Sequence, residues 1–210
     1  YLIGFVALVP WMLVLDEIPT VAGAARSGLL MSIFFVAAVF GWFGIAIGTY
    51  TGIGSLSGLL LVLIAAPLLQ SQIFIFALVR QLAGRRHGPF VRALAGASAW
   101  VATEWLLPKL LGDTIGQGLH PSRILRQIAD IGGAAGLTFL LILINECVAF
   151  AITHRHERMR VLLRPLMLAA GMLVVMAGYG AFRISALASE QEAAGKPLRV
   201  GMVQSNIVDY

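Results

Sequence analysis

The chain is a succession of apolar runs, each close to the length that crosses a bilayer, and this pattern limits its fold more than any single motif does. A hydrocarbon core about 30 Å thick takes roughly 20 residues of α-helix, and backbone amides immersed in lipid must be satisfied within their own segment. Six stretches approach that length: Tyr1 to Leu15, Gly28 to Gly48, Ser57 to Leu82, Phe90 to Leu107, Ile131 to Ile152 and Pro165 to Phe182. Composition agrees, with 59% of residues hydrophobic and only 12% charged, about half the charged share of ordinary soluble domains. The expected fold is an all-α integral membrane bundle of about six transmembrane helices. Pro67 lies inside the third run and removes a backbone donor, so a kink is expected there. The first run is short and stops at Asp16-Glu17-Ile18-Pro19; together with Tyr1 in place of a Met, this is the expectation for a start cut inside or just before a helix.

The formal charge of +5 would suggest a nucleic-acid partner in a soluble chain. Here the basic residues sit in short clusters between apolar runs, which is the signature of membrane orientation, and no nucleic acid is expected. The connections after the first, third and fifth runs hold nine cations: Arg26, then Arg80, Arg85, Arg86 and Arg92, then Arg155, Arg158, Arg160 and Arg164. The opposite side holds six: Lys109, Arg123 and Arg126, then Arg183, Lys196 and Arg199. The richer side is predicted to be cytoplasmic, which puts everything after the last run outside the cytoplasm.

That tail changes character. Residues 1–184 form the predicted helical domain. Ser185 to Pro197 is polar, Ala-rich and ends in proline, the composition of a linker. Leu198-Arg199-Val200-Gly201-Met202-Val203 then alternates as a strand does, and residues 198–210 are expected to begin a water-soluble domain.

Within the bundle a few residues invite chemistry. Glu104 lies in the fourth run, where an unpaired charge is costly; Lys109 is a candidate partner, and a substrate- or lipid-positioning role is a candidate function. Asn145, with its neighbour Glu146, raises the same possibility in the fifth run. Gln70 and Gln72 follow Pro67 closely enough to be candidates for the carbonyl that the proline leaves unpaired. Cys147, the single cysteine, has no His or Lys at hand to make it a thiolate and reads as packing. The His154-Arg155-His156-Glu157 stretch is surrounded by cations that oppose metal binding, and reads as a headgroup-facing flank. No cofactor and no metal are expected. Gly44 with Gly48, Gly54 with Gly58, and Gly132 with Gly136 have the spacing that lets helices approach closely. Ile124 to Ala129 has amphipathic spacing suited to the membrane surface.

The order of several short motifs resembles bacterial apolipoprotein N-acyltransferase. They are Leu8-Val9-Pro10-Trp11; Glu104-Trp105-Leu106 after Trp100-Val101; Ile131-Gly132-Gly133-Ala134-Ala135-Gly136-Leu137-Thr138-Phe139 leading to Ile144-Asn145-Glu146; Gly178-Tyr179-Gly180; and Val203-Gln204-Ser205-Asn206-Ile207. The resemblance implies eight membrane helices with a periplasmic nitrilase-like αββα domain inserted before the last, so that this chain carries the second to the seventh helix and the first strand of that domain. It implies transfer of an acyl chain from a phospholipid, through a cysteine thioester, to the N-terminal diacylglyceryl-cysteine of lipoproteins. The Glu, Lys and Cys of that chemistry would all follow the Val-Gln-x-Asn-Ile strand, so no catalytic residue is expected within this chain, Cys147 is not the nucleophile, and the chain alone is expected to be inactive. A monomer in a bacterial inner membrane, with its tail in the periplasm, completes the expectation. Two departures fall on the outer side: Leu107 stands where the family usually has Arg, and Pro108-Lys109-Leu110-Leu111 where it has an aromatic turn. The rival readings are a small transporter or channel lined by Glu104, Gln70 and Asn145, or another membrane-tethered nitrilase-like amidase or acyltransferase. A transporter is expected to show paired broken helices, and the sequence has one Pro-interrupted run.

Overall fold

The computed structural model describes residues 1–107, 109, 112–193 and 201–202. Among these, the regular structure is all helical: α1 (Val9–Glu17), α2 (Val21–Tyr50), α3 (Ser55–Leu69), α4 (Ser71–Arg86), α5 (Pro89–Leu106), α6 (Ala129–Thr153) and α7 (Met159–Ala193). Short 3-10 turns at Leu2–Phe5, Ile115–Leu119 and Leu125–Ile128 complete it. The strand expected over 198–210 lies outside the described residues except for Gly201 and Met202, which have no regular secondary structure. The polar segment from Ser185, read as a linker, continues α7 as far as Ala193.

Local chemistry sets the breaks. Proline enters the first turn of α1 and of α5, where its missing N–H is not needed. Ile18, forced toward extended backbone by the proline that follows, closes α1. The Thr20 hydroxyl accepts from the Gly23 N–H at 3.0 Å and starts α2. The kink expected from Pro67 is present: α3 ends at Leu69, Gln70 leaves helical geometry at φ −126° and ψ 46°, and α4 departs at 42°. Gln70 and Gln72 do not turn back to the orphaned carbonyl, however. Their amides bond one another, and Gln70 reaches Asp113 at 3.3 Å. A second break is at Gly133, where φ 61° and ψ −164° interrupt α6 in a conformation open to glycine alone.

Among the described residues, three helical segments are long and apolar enough to cross a membrane: α2, the run Leu125–Thr153 and the greater part of α7; the bent pair α3–α4 makes a fourth if taken as one span. By that measure the six runs give three or four spans. α1 has only nine residues, and α5 carries Arg92 and Glu104 within its 18. Large apolar side chains such as Phe34, Trp42, Ile64, Leu68, Val174 and Phe182 are exposed. Lipid contact accounts for an outer surface of this kind, which would drive a soluble domain to aggregate.

α2 packs on α3 and α4, α4 on α5, and α6 runs between α5 and α7 with α1 against it. The α2–α3 contact is made by glycine. A Cβ on Gly58 would stand 2.6 Å from the Gly48 nitrogen, and one on Gly44 2.8 Å from the Leu59 Cα, so only glycine allows the two backbones this approach. The third pair expected to act in this way does not: Gly132 and Gly136 face open space. The main core joins Trp11, Met12 and Leu15 of α1 to Ile73, Phe76 and Ala77 of α4, Ala97 and Trp100 of α5, and Ile142 and Ala149 of α6. Through it runs an aromatic series, Trp11 to Phe76 at 5.5 Å and Phe76 to Trp100 at 5.6 Å between ring centroids. A second core gathers Phe5, Leu119, Ile128, Leu137, Leu141 and Met176. Ile128 is buried there and the carbonyl of Ile124 abuts Gly180 of α7, so residues 124–129 pack into the bundle as a single 3-10 turn leading into α6 and do not form a separate surface helix.

Candidate functional site

Glu104 sits in the last turn of α5 with its side chain only 7% exposed. Trp100, one turn earlier, donates its indole N–H to Oε1 at 3.1 Å, and the Lys109 ammonium reaches the same oxygen at 3.2 Å. The Thr114 hydroxyl donates to Oε2 at 2.9 Å. The partner expected for Glu104, Lys109, is thus confirmed, and two more donors join it.

Thr114 belongs to the connection between α5 and α6 and contacts the hydroxyl of Thr138 on α6. Thr138 also accepts from the Gly116 N–H at 2.9 Å and donates to the Ala134 carbonyl at 3.1 Å. Gly116 is required there: a Cβ would run into the Ala134 carbonyl and stand 2.9 Å from the Thr138 nitrogen. On the other side Lys109 bonds the Asp113 carbonyl and lies 3.8 Å from its carboxylate, which Gln70 also reaches. Glu104 is therefore the hub of a polar network that ties the end of α5 to α6, to the loop and to the α3–α4 break. With three donors on its two oxygens, one of them an ammonium, this carboxylate is held in one orientation. A carboxylate tied to three neighbours in this way suits a binding-site framework better than a base that must turn to meet a substrate proton. Trp105 and Leu106, beside it, are exposed and line a shallow apolar groove with Val101 and Phe139.

Asn145 is placed differently. It is fully buried on α6, accepts from the Leu8 N–H at 2.9 Å, and donates to the carbonyls of Gly4 at 2.9 Å and Leu141 at 2.8 Å. Its amide thereby splints the first turn of the chain against α6. Cys147, two residues on, is buried and remote in sequence and helix position from Glu104.

A third polar group lies toward the other end of the bundle. Arg80 of α4, 2% exposed, holds Glu146 of α6 through two bonds of 2.5 and 3.0 Å and Asp16 of α1 through one of 2.8 Å. Arg92 of α5 adds a 2.8 Å bond to Asp16 and lies 3.8 Å from Glu146. Arg80 and Arg92, expected from the sequence to be loop cations, are instead members of a cluster with as many carboxylates as guanidiniums. The excess on that side then rests on Arg26, Arg85, Arg86 and the cations of 155–164. The signal that could have found the cluster is a charge inside an apolar run on two helices, Arg80 in Ile73 to Leu82 and Glu146 in Leu140 to Phe150, each needing a partner.

Residues 1–147, α1 through most of α6, match the apolipoprotein N-acyltransferase N-terminal domain. The chain belongs to the apolipoprotein N-acyltransferase family. It is also similar to a protein of Treponema pallidum (strain Nichols) named apolipoprotein N-acyltransferase 2, with 35% identity over 130 residues. That similarity covers 58% of this chain and 22% of the relative, so the chain spans about a fifth of the relative's length. No solved structure matches. The apolipoprotein N-acyltransferase match takes in the Glu104 network, Asn145 and the Arg80 cluster, and ends before α7.

Proposed function

We propose that this chain is the membrane portion of an enzyme that moves an acyl chain from a phospholipid to the N-terminal diacylglyceryl-cysteine of lipoproteins, by way of a cysteine thioester formed on a nitrilase-like domain. Membership of the family supports the reaction class. The single observation that carries the local reading is the Glu104 network. A carboxylate held by Trp100, Lys109 and Thr114, beside the exposed apolar groove of Trp105 and Leu106, offers a fixed polar group at the edge of a lipid-facing surface. Glu104 would position the lipid substrates there and act as no catalyst itself. Asn145 would contribute indirectly, by fixing the first helix against α6.

In this reading residues 1–184 are the membrane domain, 185–197 lead out of it, and 198–210 begin the nitrilase-like domain that carries the nucleophile. All six runs would cross or enter the membrane, with α1 and α5 completing the four more apolar spans. The Glu104 end would face the periplasm and the Arg155 to Arg164 end the cytoplasm of a bacterial inner membrane, with the protein acting as a monomer. Mass spectrometry of lipoprotein N-termini tests the reaction: cells depleted of the full-length protein should lose the third acyl chain, and unchanged triacylation would refute it. In the same assay Glu104→Gln should lower triacylation at normal protein levels. An undiminished product would remove Glu104 from substrate positioning.

A further inference from the structure

A cavity of about 500 Å³ opens between α5, α6 and α7, on the side of the bundle where the Arg80 cluster lies. Its wall is mostly apolar, with Phe90, Leu143, Phe150 and Leu168 among the lining side chains, and two guanidiniums, Arg92 and Arg164, join it. Glu146 also faces it, but both Glu146 oxygens are bonded by Arg80. Arg92 is only partly paired: Nη1 bonds Asp16, whereas Nε is buried and has no hydrogen-bond partner among the described residues. Arg164 lines the cavity, is exposed and makes no ion pair among the described residues. The two carboxylates Asp16 and Glu146 balance Arg80 and Arg92, so Arg164 leaves the mouth of the cavity with a surplus positive charge. The lining is therefore amphiphilic in one sense only: an apolar slot with cationic donors at its edge. An exposed guanidinium beside an apolar slot favours an anionic oxygen.

We propose that this cavity holds an acyl chain of an anionic phospholipid, whose phosphate is bound by Arg164. Basic pockets between membrane helices take anionic headgroups in this way, by charge and hydrogen bonding at the headgroup and apolar contact along the chain. The site is distinct from the Glu104 network, and its occupant has a retaining role. It joins α7, which among the described residues has no hydrogen bond to the Arg80 cluster, to α5 and α6.

The test is native mass spectrometry of the intact protein released from nanodiscs of equimolar phosphatidylglycerol and phosphatidylcholine. The wild-type protein should retain phosphatidylglycerol in preference to phosphatidylcholine. Arg164→Gln, a change at an exposed position that leaves the ion cluster intact, should reduce that preference about fivefold, the effect of one cation near an anionic lipid surface. Leu168→Trp, which fills the slot, should reduce bound phosphatidylglycerol while leaving Arg164 in place. Arg158→Gln, in the connection outside the cavity, should change neither. Equal retention of the two lipids by the wild-type protein would overturn the proposal. So would a preference that survives Arg164→Gln but falls with Arg158→Gln, because the attraction would then belong to the connection. Neither result bears on acyl transfer, which is read in a separate assay.

Discussion

Arg80 and Glu146 meet across α4 and α6 in a two-pronged ion pair, at 2.5 and 3.0 Å, with both side chains 2% exposed. Two charges buried to this degree are tolerable only together, since each is strongly disfavoured once its partner is lost. Removing one is therefore expected to be worse than removing both. Arg80→Met should destabilise by about 3–5 kcal/mol, whereas Arg80→Met with Glu146→Leu should recover much of that loss. Chemical unfolding followed by circular dichroism in one detergent would measure both. A double variant as unstable as the single one would mean that Asp16 and Arg92 govern the cluster and the Arg80–Glu146 pair does not.

Glycine at the α2–α3 contact is expected to be irreplaceable, while glycine at a similar spacing on α6 is not. Gly58→Ala places a methyl group 2.6 Å from the Gly48 nitrogen, and backbone cannot yield as a side chain would; a loss of about 1–3 kcal/mol follows. Gly136→Ala meets nothing within 4 Å and should gain up to about 1 kcal/mol from helix propensity. Thermal shift of the two variants in the same micelle would check the opposite signs.

Asn145 makes a prediction about the first residues of the chain. Asn145→Ala leaves the Leu8 N–H and the Gly4 carbonyl without the partners they have here, at a cost of about 1–3 kcal/mol for each buried group. Hydrogen exchange should accelerate at Leu8 and over Leu2–Phe5 far more than in α4. Uniform acceleration would instead indicate global destabilisation.

Trp100 has two separable roles, as a core ring and as a donor. Trp100→Phe retains a ring against Phe76 but removes the indole N–H from Glu104. Paired with Glu104→Gln in a double-mutant cycle, it should show a coupling of about 1.5–3 kcal/mol, the value of a hydrogen bond to a charged group. A coupling near zero would assign the orientation of Glu104 to Lys109 and Thr114.

Much of this arrangement was legible in the sequence because apolar length and charge are one-dimensional signals. The runs at Gly28, Ile131 and Pro165 became α2, α6 and α7, longer than expected because helices continue through polar ends such as Arg26 and Ser185. Pro67 announced a bend, and Glu104 asked for Lys109 and received it. What stayed hidden depends on three-dimensional pairing. Arg80 looked like one of several loop cations because it stands near Arg85 and Arg86, yet it lies one turn and a half inside the helix end and faces Glu146, 66 residues away. Gly133 was hidden among neighbouring glycines, and only its positive φ separates it from them. The 124–129 stretch had the right periodicity for a surface helix, but periodicity does not say which surface; α7 supplied one inside the bundle.

α5 carries Arg92 near its beginning and Glu104 near its end, twelve residues or about 18 Å of helix apart. The first is fastened to Asp16 on α1, the second to the loop and through it to α6. A rod clamped at both tips to different neighbours can neither slide along its axis nor turn about it without tearing one clamp. Trp105 and Leu106 therefore stand at a fixed height and azimuth relative to the rest of the bundle, and any lipid resting on them meets a gauge that the protein does not reset.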